Sequence, residues 1–280
     1  MWQTRVVVFR STDVEELTEL IEKALDLVDA DSKTRLLRYY RKEDTFRGLI
    51  GKLLPRVLLR EQGISLASVS FAVTAAGKPY MDMTGLAPSI GYSITHDNGA
   101  IAMAFANGDD LHGNPPAYQI GVDVMRLQLP KRHTFKAFIE IFTEQLTAEE
   151  HNILLSSTDI SAVEGLRRFY LIWTLKEAYT KALGIGLGFE FKRINYDVLE
   201  NTVRIDGIVP EGWEFTRFEL TIEGASETAE ETYVGVAARF TPGRVHQPGH
   251  VQHVEQPADW LTITDASDFL HRAVDMLGGA

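Results

Sequence analysis

The chain contains no cysteine among its 280 residues. That absence excludes a disulfide scaffold, Cys-ligated zinc, an iron–sulfur cluster and a thiol nucleophile. Positive charge is also scarce: 28 Lys and Arg stand against 39 Asp and Glu, a formal net charge of −11. Such a balance argues against general affinity for nucleic acid, which needs many cations to displace counterions from phosphates. No apolar run approaches the roughly 20 residues that span a bilayer, so no membrane partner is expected. The opening Met1-Trp2-Gln3-Thr4-Arg5 shows no signal-peptide pattern, because the apolar stretch that follows has only strand length. What is present is 45% hydrophobic and 24% charged residues, the profile of a globular protein with room for one large domain or two modest ones. A cytoplasmic enzyme or binding protein is the expectation.

Periodicity supplies the organisation. Residues 6–9 read as a buried strand, and Val14, Leu17, Ile21, Leu25 and Val28 predict one amphipathic helix over 13–29. Further helices are predicted over 32–41 and 44–61. On the latter, Lys52, Arg56 and Arg60 stand four apart as a basic stripe, and Lys33, Arg35, Arg38, Arg41 and Lys42 crowd the preceding stretch. In so acidic a chain this clustering points to a local anion site. A strand over 69–74 leads to the turn Ala76-Gly77-Lys78-Pro79-Tyr80. Tyr92 to His96 alternates like a strand, Asp97-Asn98-Gly99 turns, and 101–106 returns, which sets His96 at a hairpin end. The turn-rich stretch 107–117 is the expected boundary between an N-terminal half (1–115) and a C-terminal half (116–240), and no sequence repeat is present.

The second half opens on Tyr118-Gln119-Ile120-Gly121-Val122-Asp123-Val124-Met125, where period 2 sets Asp123 and Met125 on one face and the apolar residues on the other. Thr147 and Glu150 form a capping box for a helix over 148–156. A long apolar helix is predicted from Ala162 to Leu183, stopped by Gly184 and the run Gly184-Ile185-Gly186-Leu187-Gly188. Strands are expected at 189–196, 213–222 and 232–240, then a loose Pro-, Gly-, Gln- and His-rich linker over 241–258. A docking helix carrying Trp260, Leu261, Phe269, Leu270 and Leu277 completes the segment 241–280. The order of elements is that of an α+β fold.

Chemistry concentrates in Phe169-Tyr170-Leu171-Ile172-Trp173-Thr174-Leu175-Lys176-Glu177-Ala178-Tyr179-Thr180-Lys181. So apolar a helix is expected to be buried, and a buried carboxylate or ammonium needs compensation or a ligand. Glu177 and Lys181 share one face, and Asp123 is a lone acid in an apolar strand. Two carboxylates from separate elements with cations nearby suit a hard metal such as Mg²⁺ shared with substrate phosphates, and hence phosphoryl transfer.

Gly121-Val122-Asp123-Val124, paired with Trp173-x-x-Lys176-Glu177-Ala178-x-x-Lys181-x-x-Gly184, resembles the signature of the 4′-phosphopantetheinyl transferases of the Sfp type. Gly77-Lys78-Pro79, Ser93-Ile94-Thr95-His96 and Gly186-Leu187-Gly188-Phe189-Glu190 extend the likeness, which with Met125 is closest to the eukaryotic cytosolic branch of broad carrier specificity. The resemblance implies a pseudo-twofold arrangement of two similar α+β halves with the active site in the cleft between them. It implies transfer of the phosphopantetheine arm of coenzyme A to a serine of an acyl or peptidyl carrier protein, releasing 3′,5′-ADP. The carrier would be of the fatty-acid, polyketide, peptide-synthase or aminoadipate-reductase type. It further implies that Asp123 and Glu177 hold Mg²⁺, with Mn²⁺ as an alternative, and that Glu177 takes the serine proton directly or through water. Lys181 and His96 would stabilise charge on the phosphates. Arg35, Lys78 and the backbone of Thr74, Ala75, Ala76 and Gly77 would meet the nucleotide and its 3′-phosphate, beside Ser93, Ile94 and Thr95. A monomer is implied, because the two halves supply both sides of the cleft.

Three positions depart from that pattern. Met125 stands where many bacterial members have a third metal-binding acid, Val73 where related eukaryotic enzymes tend to have Arg, and Thr95 where serine is usual. Lys52 or Arg56 are the substitutes for the missing arginine. Because of Met125 and Val73, a non-catalytic coenzyme A or nucleotide-binding module stays open as a second reading, and a metal-dependent coenzyme A phosphodiesterase as a third. His112, His133, His151, His246, His250, His253 and His271 are scattered, three of them in the loose linker, so a metal cluster there is not expected, and Ser156-Ser157 lacks the context of a nucleophile elbow. The exposed loop Lys131-Arg132-His133 is a candidate contact for an acidic carrier protein.

Overall fold

β-Branched residues in short runs and apolar residues at helical spacing build two sheet-containing units. The architecture is that of a computed structural model, which describes residues 2–83, 85–86, 90–107, 119–156, 160–185, 188–223, 230–241, 247–254 and 259–279. In the first unit, β1 (Trp2–Val8) lies antiparallel to β5 (Ala100–Asn107), and β5 pairs with β4 (Ile90–Asp97) through the turn at Asn98-Gly99. β12 (Leu261–Asp265) runs parallel to β1, giving the order β12-β1-β5-β4. In the second unit the order is β11-β9-β10-β6, from β11 (Val251–Val254), β9 (Trp213–Glu223), β10 (Glu230–Phe240) and β6 (Ile120–Arg126). Small hairpins, β2 (Ser70–Val73) with β3 (Pro79–Asp82) and β7 (Ile194–Asp197) with β8 (Thr202–Ile205), complete the sheets. The α+β reading holds, with a sheet in each half.

Strand periodicity explains how the two units meet. Along β5, Ile101, Met103 and Phe105 enter the core of the first unit, where α4 (Lys42–Glu61) buries Phe46, Leu49, Ile50, Leu53 and Leu54. The alternate residues Ala100, Ala102, Ala104 and Ala106 turn the other way and pack with Ile120, Val122 and Val124 of β6 and Phe218 of β9. Four methyl groups in a row let the sheets approach closely.

Helix α7 (Ala162–Leu183) covers the second sheet. Ser161 caps its start by accepting from the Glu164 N–H, and Gly184, at φ +69°, closes it in the left-handed conformation. A Cβ on Gly121 would lie 1.9 Å from the Ala178 carbonyl oxygen, so the strand and helix touch backbone to backbone. The apolar helix still contains a fully buried lysine. Lys176 Nζ pairs with Glu150 Oε2 at 2.7 Å and donates to the carbonyls of Gln145, Phe191 and Ile194. Glu150 in turn accepts from the Thr147 and Tyr196 N–H groups, and its capping box on α6 (Ala148–Leu155) is present as predicted. Lys176 therefore answers the burial of its charge inside the protein, not with a ligand.

The structure departs from the periodicity reading in several places. The helix expected over 13–29 is two, α1 (Asp13–Glu16) and α2 (Thr18–Leu25), because the Thr18 hydroxyl bonds back to Val14 and Glu15 carbonyls and Leu17 leaves helical geometry. The 32–41 helix is shorter, α3 (Ala30–Leu36), begun two residues earlier by the Asp29 cap. Residues 191–193 form a 3₁₀ turn before β7, so only 194–196 of the strand expected at 189–196 is extended. In 241–258, expected to be a loose linker, Val251–Val254 is strand β11, paired parallel with β9. The docking pattern from Trp260 includes strand β12 before α8 (Ala266–Leu277), which packs in the core of the first unit. Most of the boundary stretch 107–117, with Tyr118, Ser157, His112, His246 and Gly186-Leu187, lies outside the described residues.

Removing the Lys176 cation strands the buried Glu150 carboxylate. Lys176→Met should lower unfolding free energy by about 3–5 kcal/mol in urea titration, and the double variant with Glu150→Gln should recover part of that loss. Equal stability of Lys176→Met and wild type would contradict the pairing.

Candidate active site

β4 and β6 belong to different sheets and are joined by side chains. Residues at every second position of β4 reach across: Ser93 Oγ accepts from the Val122 N–H at 3.3 Å, the Thr95 hydroxyl donates to Asp123 Oδ1 at 2.9 Å, and Asp97 Oδ2 accepts from the Arg126 N–H at 2.8 Å. Helix α7 joins at the middle of this seam. Lys181 Nζ donates to Asp123 Oδ1 at 2.6 Å and to Thr95 Oγ1 at 3.1 Å. One oxygen of Asp123 is thus bonded from both sides. The other, Oδ2, is buried without a hydrogen-bond partner. Burial pushes the Asp123 carboxyl up, against the pull of Lys181 and Thr95. Glu177, one helical turn before Lys181, is half-buried; burial and then the Asp123 charge push its carboxyl up as well. Two carboxylates therefore stand close enough to repel each other.

Beside this centre, Ala76, Gly77, Lys78, Ser93, Ile94 and Lys181 help line a cavity of about 230 Å³. Its outer wall is the β2–β3 loop, closed by the Thr74 N–H on the Lys78 carbonyl and the Gly77 N–H on the Thr74 carbonyl, with Gly77 at φ +86°. Thr74 and Ala75 shape this loop but do not line the cavity. The Lys78 ammonium, expected at a phosphate, is bonded to protein: Nζ donates to the Ile120 and Ala182 carbonyls at 2.9 and 2.8 Å. Burial drives its pKa down to about 7. The residue ties the loop of the first unit to the strand and helix of the second.

A larger cavity of about 510 Å³ adjoins, with Ile94 and His96 on one side and α4 on the other. Arg35, Arg47, Lys52 and Arg56 bring four cations to it. Arg56 is itself buried, paired with Asp29 at 3.0 Å and stacked 4.3 Å from the centre of the Phe71 ring. Partial burial first, then Arg56 and Arg35, lower the Lys52 pKa, as expected where like charges converge. His96 stands at the hairpin end as predicted; its partly dry setting, Arg47 and Lys181 hold its imidazole below the usual range.

Asp123, Glu177, Lys181, Thr95, Ser93 and His96 are thus assembled around one seam, with Arg35 and Lys52 in the adjoining cavity. The basic stripe is different from the one expected. Arg60 turns away and donates to the Met276 carbonyl, while Arg47, outside the four-residue stripe, lines the cavity. Its signal was the small-residue face Gly48, Gly51 and Pro55, interleaved with Lys52 and Arg56, which leaves space for a ligand. Met125 packs against the apolar core of the second unit, and Val73 is exposed at the rim of the larger cavity.

Both halves match known families: residues 119–224 match the 4′-phosphopantetheinyl transferase superfamily, and residues 16–107 match the 4′-phosphopantetheinyl transferase N-terminal family. A 4′-phosphopantetheinyl transferase pptA of Paxillus involutus is 48% identical over 262 residues, 92% of this chain and 94% of that protein. The chain belongs to the 4′-phosphopantetheinyl transferase superfamily. The L-aminoadipate-semialdehyde dehydrogenase-phosphopantetheinyl transferase of Homo sapiens is 28% identical over 90% of this chain and 81% of that protein. A phosphopantetheinyl transferase of Thraustochytrium sp. is 25% identical over 72% of this chain and 69% of that protein. The chain is accordingly a transferase that takes phosphopantetheine from coenzyme A and attaches it to carrier proteins. No helix among its described residues is long and apolar enough to cross a membrane.

The hydroxyl of Thr95 makes the two hydrogen bonds that this side chain brings to the seam. In this transferase Thr95→Ser should keep most activity. Thr95→Val leaves Lys181 and Asp123 one hydrogen bond short, and should cut kcat/KM for carrier modification about tenfold, a loss of roughly 1.4 kcal/mol. Unchanged kcat/KM in Thr95→Val would remove the hydroxyl from the site.

Proposed function

We propose that this transferase is of the Sfp type, in the eukaryotic cytosolic branch, and works as a pseudo-twofold pair of halves, 1–115 and 116–240, with 241–280 binding them and the active site in the cleft between. The observation that carries this reading is the meeting of Asp123, Thr95 and Lys181 from three elements beside the carboxyl of Glu177. In this reading coenzyme A lies with its nucleotide and 3′-phosphate against Arg35, Lys52 and the Thr74 to Lys78 loop. Its pyrophosphate lies against His96 and Lys181.

The donor set suits a divalent cation. Asp123 offers a buried oxygen with no partner, and its negative charge is felt by Glu177. Among the described residues no group of three or more His, Asp or Glu is placed to hold a metal, so Asp123 and Glu177 would hold Mg²⁺ or Mn²⁺ together with phosphate oxygens and water, as Mg²⁺ commonly does. When bound, the ion neutralises charge on the pyrophosphate as its leaving group departs. Met125 supplies no third carboxylate.

Glu177 accepts the proton of the carrier serine, directly or through water. A raised pKa suits that task because it makes the carboxylate a stronger base. The serine oxygen forms a bond to the phosphorus that bears the pantetheine arm, and the bond from that phosphorus to the bridging oxygen breaks. The electron pair leaves on 3′,5′-ADP. Lys181, held by Asp123 and Thr95, and His96 meet the charge that collects on the phosphate oxygens. The human relative carries an aminoadipate-semialdehyde dehydrogenase in its name, which supports carriers of that reductase type beside fatty-acid, polyketide and peptide-synthase carriers. We assign the enzyme to the cytoplasm as a monomer, since both walls of the site come from one chain.

Incubation of apo carrier proteins with coenzyme A and Mg²⁺ should add the phosphopantetheine mass in intact-protein spectra. No gain on several carrier types would refute the reading, and phosphopantetheine release without a carrier would mark a phosphodiesterase. Chelation should stop transfer and Mg²⁺ should restore it. Glu177→Gln should lower kcat by about 10²–10⁴ while calorimetric coenzyme A affinity falls far less. Equal loss of both would make Glu177 a ligand only.

A further inference from the structure

The cations between Lys33 and Arg60 separate into two sets in the fold. Arg35, Arg47, Lys52 and Arg56 line the larger cavity. Arg38, Arg41 and Lys42 do not: they occupy the α3–α4 connector and the first position of α4, are exposed, and make no ion pair among the described residues. Interleaved with them stand Leu37, Tyr39 and Tyr40, which are 58, 54 and 100% exposed. Burying such side chains is worth about 1.5–3 kcal/mol each, yet three near neighbours in sequence are left in water. The connector is also well held. The Leu37 N–H closes α3 on the Lys33 carbonyl, and the Thr45 hydroxyl donates to the Leu36 carbonyl at 3.0 Å. The Tyr39 ring lies beside Gly48, on the helix face that lines the larger cavity.

The connector reaches the reacting edge. Arg41 and Arg47 line one cavity with Asn98 and Gly99, the turn that directly follows His96 and Asp97 on β4. A partner seated on 37–42 is therefore next to the His96 end of the seam but outside the cavity that holds the inner cations.

We propose that Leu37 to Lys42 is a docking surface for the carrier protein. It seats an apolar helix face on Leu37, Tyr39 and Tyr40 and pairs surrounding carboxylates with Arg38, Arg41 and Lys42. The inference rests on the transferase reading above. The carrier must bring its serine to the seam while the phosphates of coenzyme A meet the inner cations, so its contact lies beside the cavity and not in it. Charge selects the place: the chain carries a net −11, so an acidic partner is repelled by the molecule as a whole and attracted where cations are unpaired. Lys131-Arg132-His133 is the rival surface, exposed in its own loop, but its apolar neighbours Leu129 and Phe135 are packed against the core of the second unit.

The test is steady-state kinetics of the full-length enzyme on a purified apo acyl carrier protein, with carrier and coenzyme A varied separately. Tyr40→Ala and the double variant Arg38→Glu with Arg41→Glu should each raise the KM for carrier about tenfold or more. The Kd for coenzyme A and kcat at saturating carrier should stay unchanged, which also shows that the variants are folded. Raising salt from ~0.05 to ~0.5 M should weaken carrier KM in wild type and far less in the charge-reversed variant. An unchanged carrier KM overturns the proposal, as does a rise confined to Lys131→Glu with Arg132→Glu. Loss of binding to phosphatidylcholine–phosphatidylserine vesicles with carrier KM intact overturns it too and marks a membrane contact. A wild type that transfers nothing overturns the transferase reading, and this surface with it.

Discussion

Asp123 sits in a strand of one sheet, and its Oδ1 is held by a threonine from the other sheet and a lysine from the long helix. That junction needs all three elements at once. β6 must lie beside β4, which the alanine stripe of β5 permits, and α7 must approach β6 at Gly121, where any side chain would collide with the helix backbone. Lys78 adds a second tie where the loop of the first unit meets the start of β6 and the end of α7. An unpaired buried carboxylate costs several kcal/mol, so the assembled seam is also what makes Asp123 tolerable. Packing and chemistry meet in the same side chain.

The charges follow a division of labour that net composition conceals. Lys176 and Glu150 cancel within the core of the second unit. Arg56 is neutralised by Asp29 and by the face of Phe71, and so serves the wall of the cavity more than its interior. Lys52 and Arg35 remain for an anion, and the connector cations face outward. A whole-chain excess of 11 acids keeps attraction confined to these places.

Much of the site was legible because its residues conflict with their surroundings. Asp123 in an apolar strand, Glu177 and Lys181 on an apolar helix, and His96 before a tight turn each violate a local pattern, and such violations mark function. The long helix and its caps were legible for the opposite reason, since periodicity, Ser161 and Gly184 agree. Three things were hidden. The Lys176 partner lies 26 positions earlier in the chain at Glu150, a distance no local pattern spans. Lys78 was placed at the nucleotide by resemblance alone, and only the fold shows the two carbonyl groups that its amine meets. Strands β11 and β12 are four and five residues long and lack any run of their own. Their state is decided by the partner strands β9 and β1, so composition read one as linker and periodicity absorbed the other into a helix.

The crossing of that last segment from one sheet to the other sets an order of assembly. β6, β9 and β10 are contiguous enough to close the second sheet's ladder by residue 240, whereas β1 waits for β12 near residue 261. At ordinary rates of synthesis the residues between β10 and β12 take on the order of seconds to emerge. During that time the first sheet has an open edge at β1 and a core without α8. The β6, β9 and β10 ladder can thus form before the first sheet gains its β12 edge. The nascent chain is most exposed to wrong pairing at its oldest strand.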